Sequence, residues 1–246
     1  MRYLLLSDIH GNLPAFRAVM EDALARNFDQ VLFMGDAVGY YPDGDAVLSA
    51  LRKLEARAVL GNHDAWLFDE SLPAEGSLIG EILAWQRARL SPENEAFLKS
   101  WPWERTTPAY HQVHGSPCDP LLYLDDLEPA REALACSDRP WIFIGHTHLA
   151  GLFMAIEGPN GPWIRYRAFL DEENRVKIGP KARAIVNPGS VGQPRDGVPL
   201  AAYAIWDEEA REVEAYRVAY DLLEVRRRIK QEGFPMILYE RLRVGK

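Results

Sequence analysis

The chain has 246 residues, of which 48% are hydrophobic, and a formal net charge of −8. That length supports one large core without requiring a second domain. The acidic balance argues against an extended nucleic-acid-binding face, though it leaves room for a nucleotide in one local pocket. Apolar runs such as "PLAAYAIW" (199–206) fall far short of the ~20 residues of a membrane helix, and the start "MRYLLLSD" is too short for a signal-peptide core. A soluble, cytoplasmic protein is expected, with no membrane partner. The two cysteines, Cys118 and Cys136, are too few for a disulfide framework and fit a reducing compartment. Cys118 is read as a small buried apolar residue.

In chain order, "RYLLLS" (2–7) reads as a strand and "LPAFRAVMEDALAR" (13–26) as a helix. Asn12 is its N-cap and Pro14 lies in its first turn. Phe16, Val19, Met20, Ala23 and Leu24 recur at helical spacing. "QVLFM" (30–34) is a strand, "GDAVLSALRKLEA" (44–56) a helix and "RAVL" (57–60) a strand, a succession that implies right-handed crossovers and parallel pairing. Residues 65–108 read as a helical insertion rich in tryptophan: Trp66, Trp85, Trp101 and Trp103. "HQVHG" (111–115) and "PWIFIG" (140–145) return to strand. "LFMAIEGPNGPWIRYRAF" (152–169) is a hairpin, "RAIVNPGS" (183–190) a strand that ends in a turn, and "AAYAIWDEEAREVEAYRVAY" (201–220) reads as a second hairpin, although its "DEEAREVEAY" (207–216) also fits a helix. "DLLEVRRRIKQ" (221–231) closes the chain as a helix, with Arg226, Arg227, Arg228 and Lys230 as a solvated face. A crossover-rich first half and a hairpin-rich second half predict an α/β fold in a single domain, 1–246, with two packed sheets covered by helices.

The strand ends share a chemistry. They read "SDIHGN", "MGDAVGYYP", "LGNHDAW", "VHGSP", "IGHTHLAG" and "VNPGS", nearly all with a glycine at or beside the end. Ligands bind at the carboxyl ends of strands in sheets with parallel crossovers. Asp8, His10, Asp36, Asn62, His63, Asp64, His114, His146 and His148 can therefore converge on one edge. Five of the six histidines lie in these motifs. The sixth, His111, falls on the opposite face of its strand from His114 and is read as structural. Asp8/His10 and His146/His148 are i, i+2 pairs, which point the same way in an extended chain. Each pair can serve one metal or two adjacent ones. Asp36 can bridge two cations with its two oxygens, and Asn62 can offer a neutral carbonyl oxygen.

With His63 set aside, the donors exceed the needs of one tetrahedral zinc. They suit two divalent metals about 3.5–4 Å apart. Mixed His and carboxylate ligation fits Mn, Fe, Zn or Ni better than Mg. Tyr40 and Tyr41, in the loop after Asp36, are open between substrate contact and packing.

"DIHGN", "GDAVGYYP", "GNHD", "HGSP" and "GHTH" together resemble the five blocks of the calcineurin-like metallophosphoesterases, from residue 4 to about 197. "NPGSVGQPRDG" further resembles a branch of small bacterial and archaeal phosphodiesterases. The resemblance implies a four-layer α-β-β-α sandwich and a dinuclear centre. One metal would take Asp8, His10, Asp36 and His148, and the other Asp36, Asn62, His114 and His146. His63 would face the substrate as the acid catalyst, with Asp64 holding its imidazole. The implied activity is hydrolysis of a small phosphodiester or nucleotide by a metal-bridging hydroxide. A phosphomonoesterase, a nucleotide pyrophosphatase and a non-catalytic scaffold that binds a protein are the alternatives. Protein Ser/Thr phosphatases carry an Arg soon after the second-block acid, and "GDAVGYYPDG" has none. Arg195, in "GQPRDG", is the candidate for that missing charge, with Tyr40 a second substrate contact.

Overall fold

The computed structural model describes residues 1–68, 76–159 and 161–246. In chain order the elements are β1 (Arg2–Leu6), α1 (Leu13–Leu24), β2 (Gln30–Phe33), α2 (Gly44–Lys53), β3 (Arg57–Ala58), α3 (Asn62–Trp66), α4 (Leu78–Arg87), α5 (Pro92–Lys99), β4 (Glu104–Thr106), β5 (Tyr110–Val113), α6 (Leu127–Cys136), β6 (Trp141–Phe143), β7 (Gly151–Ile156), β8 (Trp163–Ala168), β9 (Glu173–Lys177), β10 (Ala182–Asn187), β11 (Ala201–Asp207), β12 (Glu212–Val218), α7 (Leu222–Gln231) and α8 (Ile237–Val244). They form two six-stranded sheets, ordered β3-β2-β1-β11-β12-β9 and β4-β5-β6-β10-β7-β8. Both are mixed. β1, β2 and β3 run parallel, as do β5, β6 and β10, and the remaining pairings are antiparallel.

Strand alternation builds the layers. Leu4 and Leu6 of β1 face Phe16 and Val19 of α1 and Val47 and Leu48 of α2. The intervening Tyr3 and Leu5 join Leu32, Phe143, Val186 and Trp206 between the sheets. There Trp206 stacks on Tyr3 at 4.9 Å and meets Phe143 at 4.9 Å. On the far side of the second sheet, Ala130, Ala133 and Leu134 of α6 cover Val113, Ile142, Ile144 and Ile185. The result is helix, sheet, sheet, helix.

The Asn12 side chain caps α1 by accepting from the Ala15 N–H at 3.2 Å, and its amide donates to the Gly192 carbonyl at 2.8 Å. One residue thus starts the helix and fastens it to a later strand-end loop. His111 is structural as read, with its ring between Ser137 (3.1 Å) and Glu104 (2.9 Å).

Four readings need correction. The 65–108 stretch contains the helices α4 and α5 but ends in the strand β4, and residues 69–75 lie outside the described residues. The closing helix is followed by α8, whose Leu238 and Leu242 share an i, i+4 face in a cluster with Tyr41, Ile82, Val225 and Ile229. The basic run of α7 is not wholly a solvated face, because Arg228 pairs with Asp43 (2.5 Å) and Glu224 (2.9 Å). Finally, Cys118 is exposed and bonded to Cys136 in a disulfide. The expectation of a reducing compartment rested on two unpaired thiols and loses that support. No described helix is long and apolar enough to cross a membrane.

Candidate metal centre

The strand-end loops converge, but not as extended pairs. Asp8, His10, Asp36, His146 and His148 all have positive φ, between 53° and 66°, and are five of the eight non-glycine residues described in that state. Such backbone costs on the order of 1–3 kcal/mol per residue and persists where the surroundings over-determine it. Here the loops hold one another. The Asp8, His10 and Gly11 N–H groups donate to the carbonyls of Gly35, Asp36 and Ala37 at 2.8–3.0 Å. Each tight turn aims its side chain at the shared interior. His146 and His148 consequently diverge into different groups.

Three imidazoles are oriented alike. The Nδ1 atoms of His10, His114 and His148 lie 3.0, 2.6 and 2.5 Å from the carbonyl oxygens of Val38, Met34 and Gln193. A carbonyl only accepts, so each Nδ1 carries the hydrogen and each ring turns Nε2 to the centre, where its lone pair is free whenever the ring is neutral. His146 is reversed. Its Nε2 donates to the Leu121 carbonyl at 3.1 Å, which leaves Nδ1 facing inward.

Two clusters of donors result. Asp8, His10 and His148 form one, and Asp36, His114 and His146 the other, each with its ligand atoms within 4.8 Å of one another. Asp36 Oδ2 lies 3.6 Å from His10 Nε2 and 3.4 Å from His114 Nε2, so one oxygen reaches both clusters. Asn62 Oδ1 lies 3.1 Å from His114 Nε2 on the second side. His63 also falls within 4.8 Å of His10 and Asp36, so its ring borders the cluster.

This arrangement fits divalent cations. His10 Nε2 and His148 Nε2 lie 3.2 Å apart with no protein acceptor between them. Asp8 Oδ1 is buried without a hydrogen-bond partner, although His148 Nε2 lies 3.2 Å away. Burial disfavours both carboxylates as anions. The neighbouring imidazoles, His148 first for Asp8 and His114 first for Asp36, outweigh it and hold both below the usual carboxylate range. His114 rises to about 9 despite burial, because Asp36 favours its charged form. Burial drives His10 well down and takes His146 to about 4. Two buried anions beside one favoured imidazolium leave negative charge that a cation offsets.

Asp64 is not where it was expected. Its carboxylate does not hold the His63 imidazole, whose Nδ1 is buried without a partner. It accepts instead from the backbone N–H groups of Asp36 (2.7 Å), Ala37 (2.9 Å), Val38 (3.3 Å) and Gly61 (3.1 Å), clasping the loop that carries Asp36. Burial first, and the Asp36 charge second, push it up to about 7. The His63 ring lies between Tyr40 (4.9 Å) and Trp66 (5.1 Å), and burial lowers it to about 4. Arg195 reaches the Tyr40 hydroxyl at 3.2 Å, so the two expected substrate contacts adjoin each other. Tyr41 is buried and donates to the Leu238 carbonyl at 3.2 Å, which settles it as packing.

Other residues at the site left no signal in the sequence. Gln86 of α4 accepts from the Gly39 N–H (2.8 Å) and donates to the Gly39 (2.7 Å) and Tyr41 (2.5 Å) carbonyls. The insertion thus buttresses the second loop. Tyr123 stacks on His146 at 4.2 Å.

Gly61 lies so close to Asp36 that an added Cβ would overlap its Oδ1 and backbone N. Gly61→Ala is expected to cost about 1–3 kcal/mol and to reduce metal retention, as checked by thermal melting and elemental analysis. Unchanged values would remove that constraint.

Residues 1–211 match the calcineurin-like phosphoesterase superfamily domain. The chain belongs to that superfamily. A metallophosphoesterase from Sphaerobacter thermophilus is similar in structure throughout, with a TM-score of 0.87, 31% identity and full coverage of both chains. The uncharacterized protein MJ0912 of Methanocaldococcus jannaschii is 32% identical over 254 residues, which cover 98% of this chain and 97% of the relative. The hypothetical protein PH1004 of Pyrococcus horikoshii shares the fold at TM-score 0.77 and 20% identity, over 100% of this chain and 98% of that one. Membership agrees with the five-block reading and with the two helix-covered sheets. In this phosphoesterase-family chain, Asp64 braces the loop that carries Asp36.

Proposed function

We propose that residues 1–246 act as one metallophosphoesterase domain that hydrolyses a small phosphodiester. The observation that carries this reading is Asp36 Oδ2, set between His10 Nε2 and His114 Nε2 at 3.6 and 3.4 Å. Asp8, His10, Asp36 and His148 hold one divalent cation, and Asp36, Asn62, His114 and His146 the other. Nitrogen and carboxylate donors together favour Mn, Fe, Zn or Ni. Bound there, the cations supply Lewis acidity toward water and the phosphoryl oxygens.

The chain's own residues do the rest. The carbonyls of Val38, Met34, Gln193 and Leu121 fix which nitrogen each imidazole offers. His63 borders the donor cluster beside Tyr40 and Trp66 and donates a proton to the departing oxygen. The anionic phosphoester beside it would favour the charged imidazole that this role needs. The Tyr40 and Trp66 rings beside His63, with the Arg195 and Arg241 guanidinium groups over Tyr40, suit a phosphoester with an organic second arm.

The test is a panel of an aryl phosphodiester, an aryl phosphomonoester and a dinucleoside polyphosphate, each with Mn, Fe, Zn, Ni and Mg. Diester turnover with Mn is expected. Turnover of the monoester or the polyphosphate alone would replace the substrate assignment, and no turnover with any metal would favour a protein-binding scaffold. Manganese at 100-fold above its dissociation constant is also expected to stabilise the metal-free protein by about 2.7 kcal/mol, raising the melting temperature by roughly 5–10 °C. An unshifted melting curve would contradict metal binding.

A further inference from the structure

The four imidazoles of the centre are not held equally. His10, His114 and His148 donate their outer N–H to the carbonyls of Val38, Met34 and Gln193, all buried residues. His146 donates to Leu121, on an exposed loop, and its ring is covered by the exposed Tyr123 at 4.2 Å and 19°. That loop bonds mainly to itself. Ser116 and Asp119 exchange backbone bonds at 3.1 Å, Leu122 N–H donates to the Asp119 carbonyl at 3.0 Å, and Leu121 N–H to the Asp119 carboxylate at 2.9 Å. None of these ties the loop to the sheets. Besides the close approach of the Pro120 and Leu122 carbonyls to Gly115 and the His146 bond itself, two anchors hold it: Leu124, buried against Ala130, Ala133 and Leu134, and the Cys118–Cys136 disulfide, the one covalent tie, which joins the loop to the end of α6.

We propose that Tyr123 and the Cys118–Cys136 disulfide are positioning elements for His146, so that the redox state of the disulfide sets the affinity of the second cation site. This inference rests on the dinuclear reading above. In the oxidised chain the bridge keeps the Leu121 carbonyl and the Tyr123 ring against His146, which holds Nδ1 toward Asp36 and His114. A dithiol reductant delivers two electrons and two protons, breaks the Cys118–Cys136 bond to two thiols and is itself oxidised to a disulfide. The loop then keeps Leu124 but loses its other anchor, and His146 gains freedom to turn. The site of Asp8, His10 and His148 has no contact with this loop through its imidazole carbonyls and keeps its cation.

The experiment titrates manganese into the metal-free full chain in three forms: oxidised, reduced by a phosphine that is then removed, and Cys118→Ser/Cys136→Ser. Bound metal is counted by elemental analysis, and thiols by alkylation and mass spectrometry. Electron paramagnetic resonance separates spin-coupled manganese pairs from isolated ions. The oxidised chain is expected to take two ions with a coupled signal. The other two forms are expected to bind the second ion at least tenfold more weakly, with the isolated-ion signal dominant at limiting metal. Tyr123→Phe should match the oxidised wild type, and Tyr123→Ala should shift toward the reduced form. The reduced wild-type chain keeps the test valid even if the double variant fails to fold. Two ions bound equally by the oxidised and reduced chains would overturn the inference and leave the dinuclear reading intact. No metal uptake in any form would overturn both.

Discussion

Replacing Asp36 by asparagine is expected to remove bound metal from both halves of the centre and to lower kcat/KM by about 10³-fold or more, because several kcal/mol of charge stabilisation leave with the cations. The fold should survive. Asp36 Oδ1 accepts from the His63 N–H at 2.9 Å, and the asparagine amide oxygen can accept the same bond. What disappears is the negative charge on the atom between His10 and His114. Elemental analysis of the purified variant and circular dichroism separate loss of metal from loss of fold. Full metal content in a folded variant would refute the shared-ligand role.

His63→Ala should behave oppositely. Bound metal is expected to stay, because the ligand groups of Asp8, His10 and His148 and of Asp36, His114 and His146 close without it. Turnover is expected to fall by ~10²–10⁴-fold, the usual worth of a positioned acid. A substrate whose leaving group needs no proton should lose much less, and that contrast distinguishes an acid from a packing residue. Equal losses for good and poor leaving groups would assign His63 to shape instead. Loss of metal would make it a ligand.

Most of the fold was legible because periodicity and punctuation agreed. The continuous apolar run in "RYLLLS" matched a strand buried on both faces, and the helical spacing of Phe16, Val19 and Ala23 matched the buried face of α1, although Leu24, counted in the same pattern, is exposed. The site was legible because reactive residue types recur at strand ends, where chains must turn. The i, i+2 argument named side chains that do converge, but through the wrong geometry, since left-handed backbone at Asp8, His10, His146 and His148 is imposed by neighbouring loops and not by local sequence. Asp64 was misplaced for a related reason. Adjacency to His63 suggested a partner, but α3 turns its carboxylate toward four backbone N–H groups. Contacts from far along the chain, such as Gln86 to Gly39 and Leu121 to His146, carry no local pattern. The disulfide escaped for the same reason, since two cysteines 18 residues apart say nothing of proximity until α6 folds back on the loop.

The most direct measurement is anomalous diffraction from crystals of the full chain grown with manganese. Two peaks are predicted, one among Asp8, His10, Asp36 and His148, the other among Asp36, Asn62, His114 and His146, with the Asp36 carboxylate touching both. Manganese confined to other residues, or these side chains turned away from it, would contradict the account.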